Sequence, residues 1–111
     1  MPMGVDPNFK RLIWYVFAST KGGPTRIMII ELLKKRPYNI NQLSKKLGMD
    51  YKTVLHHIKV LEENRMIIPN GKEYGTIYFP SQYLEESSGI FKEIKEKLEK
   101  ERIKKERRKA W

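Results

Sequence analysis

The spacing of apolar side chains along the chain predicts several helices and one hairpin. From Phe9 to Ala18 the set Phe9, Leu12, Ile13, Val16 and Phe17 recurs at helical spacing, and Trp14 and Tyr15 widen it until the helix is apolar nearly all round. Such a helix is either sunk in a core or shared between subunits, and in so short a chain the shared arrangement is expected. Ser19 to Gly23 is a break. A second helix opens at Pro24, where the missing N–H costs nothing, and stops at Pro37. Its core stripe is Ile27, Ile30 and Leu33, or Ile29 and Leu32. Lys34, Lys35 and Arg36 complement the negative end of its dipole as readily as they would meet a polyanion.

The stretch from Asn39 to Lys59 organises the rest. Asn39 is a good N-cap and Gln42, three residues on, completes a capping box. Leu43 and Leu47 give the short helix one apolar face, and Gly48 ends it in the left-handed conformation that glycine tolerates best. Ser44 is the small residue expected where two helices cross. Asp50 then caps a further helix from Tyr51. At about 100° per residue, Val54, Ile58, Leu61 and Arg65 share one side of it, while Lys52, His56, Lys59 and Glu63 project from the other. Two helices joined by so tight a turn form a helix-turn-helix, whose second helix commonly enters a DNA major groove. Lys52, His56 and Lys59 are donors suited to phosphates or base edges, although two turns of cations are also what a solvated face looks like.

Met66-Ile67-Ile68-Pro69 reads as a strand, Asn70-Gly71 as a turn, and Thr76-Ile77-Tyr78-Phe79 as the return strand. A hairpin directly behind a recognition helix has the layout of a wing, with Lys72 and Tyr74 near its tip. From Ser81 one helix is expected to run to about Lys109, with a thin seam of Ile90, Phe91, Ile94 and Leu98. Glu93–Lys97, Glu96–Lys100 and Glu101–Lys105 would be i,i+4 pairs. A long helix with so thin a seam is explained best by pairing with a second copy of itself.

Composition narrows the function classes. The 111 residues suit one domain, and the formal net charge of +10, with a pI near 9.8, points to a polyanion or an anionic surface. Much of that excess sits in 101–111, whose basic end adds non-specific phosphate contact or nothing. With no cysteine, disulfides, thiolate metal sites and cysteine nucleophiles are excluded. The longest apolar run, Leu12 to Ala18, is too short to span a bilayer, and no signal-peptide layout precedes it, so a cytoplasmic protein without membrane partners is expected. Richness in Lys, Glu and Ile is compatible with a thermophile.

The tracts Gly22-Gly23-Pro24-Thr25-Arg26, Asn41-Gln42-Leu43, Asp50-Tyr51-Lys52-Thr53-Val54 with His56-His57-Ile58, and Tyr74-Gly75 to Phe79 resemble, in their order and spacing, the archaeal winged helix-turn-helix regulators of the ArsR-like group. The resemblance covers roughly residues 9–82. It implies a mainly α fold with a small β-hairpin, a recognition helix from near Tyr51, first and last helices that build a two-fold dimer, and no catalysis. One departure matters: metal-sensing members of the wider family use cysteine-rich sites, which this chain lacks.

The expected organisation is therefore a leader over 1–8, a winged helix-turn-helix domain over 9–82, and a long C-terminal helix over 83–111. DNA contact is expected from Gln42, Lys45, Tyr51, Lys52, Thr53, His56, Lys59, Lys72 and Tyr74. Dimer contact is expected from Leu12, Ile13, Val16, Ile90, Phe91, Ile94 and Leu98. The partners are double-stranded DNA and a second copy, with no cofactor or metal. His56 and His57 point about 100° apart and cannot chelate one ion from the same face; His57 is expected to be a hydrogen-bonded core residue. Neither Ser19 nor Ser44 has partners for nucleophilic catalysis, and no phosphate loop is present, which argues against an enzyme. Two rival readings are a non-specific DNA-, RNA- or chromatin-binding protein and a winged-helix protein-interaction module.

Overall fold

The computed structural model describes residues 7–71 and 75–109. Helix α1 (Pro7–Trp14) runs directly into a π-helical segment (Tyr15–Ser19), followed by α2 (Gly23–Lys35), α3 (Ile40–Leu47) and α4 (Tyr51–Glu63). Strands β1 (Ile67–Asn70) and β2 (Ile77–Pro80) come next, then α5 (Gln82–Glu86) and α6 (Ser88–Lys109). No helix among the described residues is long and apolar enough to cross a membrane. The expected wing-tip residues Lys72 and Tyr74 lie outside the described residues.

Two glycines let the first helical run and α2 close on each other. A Cβ on Gly23 would overlap the carbonyl of Phe17, and one on Gly22 would collide with the side chains of Arg26 and His57. With both positions bare, α2 starts hard against the π segment and buries Ile27, Ile29, Ile30 and Leu33. Both apolar series read from the sequence thus reach the interior, with Leu32 half-buried.

Antiparallel β1 and β2 pair from Ile67↔Pro80 to Asn70↔Ile77. Tyr38, between α2 and α3, adds a bridge: the Tyr78 N–H donates to its carbonyl at 3.1 Å. That single rung ties the hairpin to the linker feeding the helix-turn-helix. Leu61 and Met66, both fully buried, join α4 to the hairpin. Between them α4 ends at Glu63, and Arg65 takes the left-handed conformation at φ 61°. The Met66 N–H donates to Leu61 O at 2.8 Å and the Arg65 N–H to Glu62 O at 3.0 Å, which together make a Schellman ending with arginine where glycine is usual. Arg65 is exposed and does not continue the buried face of α4, correcting its placement beside Val54, Ile58 and Leu61.

The C-terminal helix departs from expectation in two ways. It is interrupted at Ser87, between α5 and α6, and α6 packs against α1 and the π segment. Phe91 meets Phe17 edge-on, with ring centroids 5.1 Å apart. Ile13, Val16, Phe17, Phe91 and Ile94 are consequently buried within one chain, each worth about 1.5–3 kcal/mol of apolar transfer at full burial. Ile13, Val16, Phe91 and Ile94 therefore have no surface left for a second copy, which corrects their assignment to a subunit contact. Leu12, Ile90 and Leu98 remain partly exposed at the edge of the same cluster.

The expected i,i+4 pairs also give way to other partners. Lys95 reaches Glu31 of α2 at 2.6 Å, Lys97 lies 5.1 Å from the ring centroid of Trp14, and Arg102 pairs with Glu99 and Glu106. Two of these cations are drawn off their own helix because α6 packs on α1 and α2.

Candidate nucleic-acid interface

The capping box forms as read. The Gln42 N–H donates to Asn39 Oδ1 at 2.8 Å, and the Asn39 N–H to Gln42 Oε1 at 2.9 Å. Gln42 thereby commits its side-chain oxygen to the start of α3, leaving only its NH2 for a phosphate. Gly48 ends α3 at φ 66°. Ser44 does more than allow a close crossing: its hydroxyl donates to Met49 O, and the Met49 N–H donates back to Ser44 O at 3.1 Å. The turn is thus locked from both sides. Asp50 accepts the Thr53 N–H at 3.0 Å, and hydrogen bonding to Thr53 holds its carboxyl below the usual aspartate pKa.

These bonds fix which side of α4 faces outward. Val54, His57, Ile58 and Leu61 are buried, while Tyr51, Lys52, Thr53, His56 and Lys59 are exposed on the other face, Tyr51 at 48%. Lys45 is exposed on α3. The expected DNA-contact residues on α4 thus share one accessible side, and Glu62 and Glu63 bring negative charge only at its far end. A helix presenting aromatic, cationic and hydroxyl groups near its N-terminus is suited to reading base edges there and meeting phosphates farther along.

Arg26 enters the sequence reading only as the end of the Gly22–Arg26 tract, with no role in the interior. It is 4% exposed, yet no carboxylate faces it among the described residues. Its Nε donates to Val16 O at 3.0 Å, Nη2 to the Thr20 hydroxyl, and Nη1 to His57 Nδ1 at 3.2 Å. Because arginine can only donate, His57 accepts at Nδ1 and keeps its proton on Nε2. Burial lowers the Arg26 pKa from its ordinary value, against an opposing influence of Tyr15. Burial first, then the Arg26 charge, then His56 lowers that of His57. His57 is thus the hydrogen-bonded interior residue anticipated. The missed signal was spacing, since position 26 falls three and four residues before Ile29 and Ile30 and so inside the buried stripe of α2.

The outward face of α4 continues onto the approach to α2. His56 lines a cleft of about 490 Å³ together with Thr20, Lys21, Gly22 and Thr25. Lys21 and Thr25 are therefore further donors beside α4 that periodicity alone did not reveal.

Comparison with known proteins agrees with this geometry. Residues 23–68, from the start of α2 into β1, match the family described as bacterial regulatory protein, arsR family. No curated protein sequence matches the chain. Among solved structures, Mycobacterium tuberculosis Rv0081 is similar at 18% identity and TM-score 0.64, covering 89% of this chain and 99% of that one. A homodimeric winged helix-turn-helix DNA-binding domain from Mycobacterium bovis, described as a possible ArsR-family transcriptional regulator, is similar at 12% identity and TM-score 0.62, covering 89% and 91%. A possible transcriptional regulator from Methanosarcina mazei follows at 19% identity and TM-score 0.54, covering 90% and 86%. The chain thus has the winged helix-turn-helix fold, and its residues 23–68 are similar to the helix-turn-helix region of the arsR family of regulatory proteins.

Proposed function

We propose that this chain is a sequence-specific, double-stranded DNA-binding transcriptional regulator that acts as a homodimer. The observation that carries this reading is the exposed face of α4, where Tyr51, Lys52, Thr53, His56 and Lys59 stand together on a helix held rigidly from behind. In this reading Tyr51, Lys52 and His56 meet base edges in the major groove. Lys59, Lys45, Lys21, Thr25 and the Gln42 amide take phosphates. Lys72 and Tyr74 are assigned to the wing's backbone or minor-groove contact.

The dimer rests on the partly exposed apolar edge of α1 and α6, namely Leu12, Ile90 and Leu98, with Tyr15 and Ile103 exposed beyond it. The homodimeric Mycobacterium bovis domain of the same fold supports it. A two-fold assembly would read a palindrome with half-sites about one helical turn apart.

The test is selection of bound sequences from a random duplex pool at physiological salt. Recovery of a palindromic consensus is the expected outcome. Steep salt dependence with no consensus would make the protein a non-specific nucleic-acid binder through its basic α6 end, and absence of duplex binding even at low salt would make it an interaction module.

A further inference from the structure

On a different side of α2 from Arg26, an open groove of about 860 Å³ runs between α2, the last turn of α3 and the first turns of α6. Met28, Leu32 and Leu47 line it with apolar surface, Met28 being 43% exposed and the other two half-buried. Its cations come from three different helices. Lys35, Lys46 and Lys92 are exposed around it and take part in none of the ion pairs among the described residues. Lys34 lies over the ring of Phe91 at the base, 4.5 Å from its centroid. The one acidic lining residue, Glu31, is occupied by Lys95.

We propose that this groove binds an amphipathic anion, a carboxylate or sulfonate carried on an apolar body, and that its occupancy tunes DNA binding. The charge arrangement chooses the occupant. Lysines lining the groove from α2, α3 and α6 favour a negative group on the occupant, and Met28, Leu32 and Leu47 favour an apolar body against it. A single molecule with an apolar body and one negative end satisfies both, and the groove volume falls in the range of small-molecule sites, about 300–1,000 Å³.

The regulatory half rests on the DNA-binding reading above. Lys46 and Leu47 form the last turn of α3, directly before the Gly48 turn that orients α4. An occupant bridging them to Lys92 on α6 fixes the helix-turn-helix relative to the C-terminal helix. By linkage, whatever factor the anion imposes on DNA affinity, DNA imposes on the anion.

The probe is 1-anilinonaphthalene-8-sulfonate, followed by fluorescence on the full chain and displaced with dodecanoate. Saturable binding at one site per chain is expected. The double variant Lys35→Glu/Lys92→Glu should weaken it at least tenfold. Lys104→Glu/Lys109→Glu, which changes net charge equally on exposed positions of distal α6, should leave it within about twofold. Circular dichroism confirms that both variants remain folded. Equal loss in the two variants, or binding that never saturates, overturns the groove. In a second arm, dodecanoate is titrated against the complex with the selected duplex. A several-fold change in duplex affinity, matched by the same change in dodecanoate affinity, supports the coupling, and no change overturns it while the probe result stands. Probe binding lost only in the groove variant, with no duplex bound at all, would keep the site and reject the regulator.

Discussion

The guanidinium of Arg26 donates to Nδ1 of His57 at 3.2 Å, joining α2 to the buried side of α4 with no carboxylate paired to either among the described residues. The contact requires a neutral imidazole, because a protonated one would carry a hydrogen where it must accept. The two side chains close on each other only because Gly22 has no Cβ.

A pH dependence of stability follows. An unfolded histidine titrates near 6.5, and His57 in the folded chain titrates lower, through burial, Arg26 and His56. Between those two values the unfolded chain binds the extra proton, so stability falls as pH drops from about 7 and is fully present above it. Urea midpoints measured from pH 7.5 to 5 should decline in the wild type and flatten in His57→Gln, which retains an acceptor. A wild-type midpoint that is constant over that range would show that His57 does not set it.

Arg26→Lys should cost about 1.5–3 kcal/mol, because one ammonium cannot serve Val16 O, Thr20 and His57 together. The reading is a lower urea midpoint with an unchanged slope. An unaltered midpoint would mean that the three acceptors find other donors.

Arg65→Gly should stabilise the chain. A left-handed residue with a Cβ costs about 1–2 kcal/mol, offset in part by the greater backbone freedom of unfolded glycine. The net gain should raise the melting temperature by a few degrees. A lower melting temperature would indicate that the Arg65 side chain makes a stabilising contact.

The recognition face is tested by comparing two lysines. Lys52→Ala should remove discrimination at one or two base pairs, worth about 1–3 kcal/mol, whereas Lys59→Ala should weaken selected and scrambled duplexes alike and lower the salt slope by about one unit. Both side chains are exposed, so thermal stability should barely change. An unchanged ratio of selected to scrambled affinity in Lys52→Ala removes it from base reading.

The dimer is best probed at the edge of the apolar cluster. Ile94→Glu would place a charge in the interior and unfold the chain, so it says nothing about association. Leu98→Glu or Leu12→Glu alters partly exposed positions and should give folded monomers by light scattering with intact circular dichroism. A wild type that is already monomeric at tens of micromolar, an order-of-magnitude concentration for ordinary dimer affinities, would reject the assembly.

By itself the sequence determined the local structure. Asn39 with Gln42, Gly48 and Asp50 are short-range signals, in which the partners lie within a few residues, so the caps and the turn between α3 and α4 were legible. The two strands were legible too, although Asn70 belongs to β1 and pairs with Ile77 rather than forming the turn. The outward face of α4 was legible for the same reason, since Val54, Ile58 and Leu61 leave only one side for Lys52, His56 and Lys59. Periodicity also marked the first helix as too apolar to stand alone and the last as carrying a thin apolar seam. It could not say whether a second copy or the chain itself covers them, because a hydrophobic stripe carries no information about its partner. Only the tertiary structure decided that Phe91 folds onto Phe17, and that Ile13 and Ile94 belong to one core. The break at Ser87 was likewise not legible, because the contacts that α6 makes with α1 and the π segment are remote in sequence. Arg26 was decided last: a buried cation is tolerated only where acceptors from distant segments converge, and Val16, Thr20 and His57 meet there only once the chain has folded.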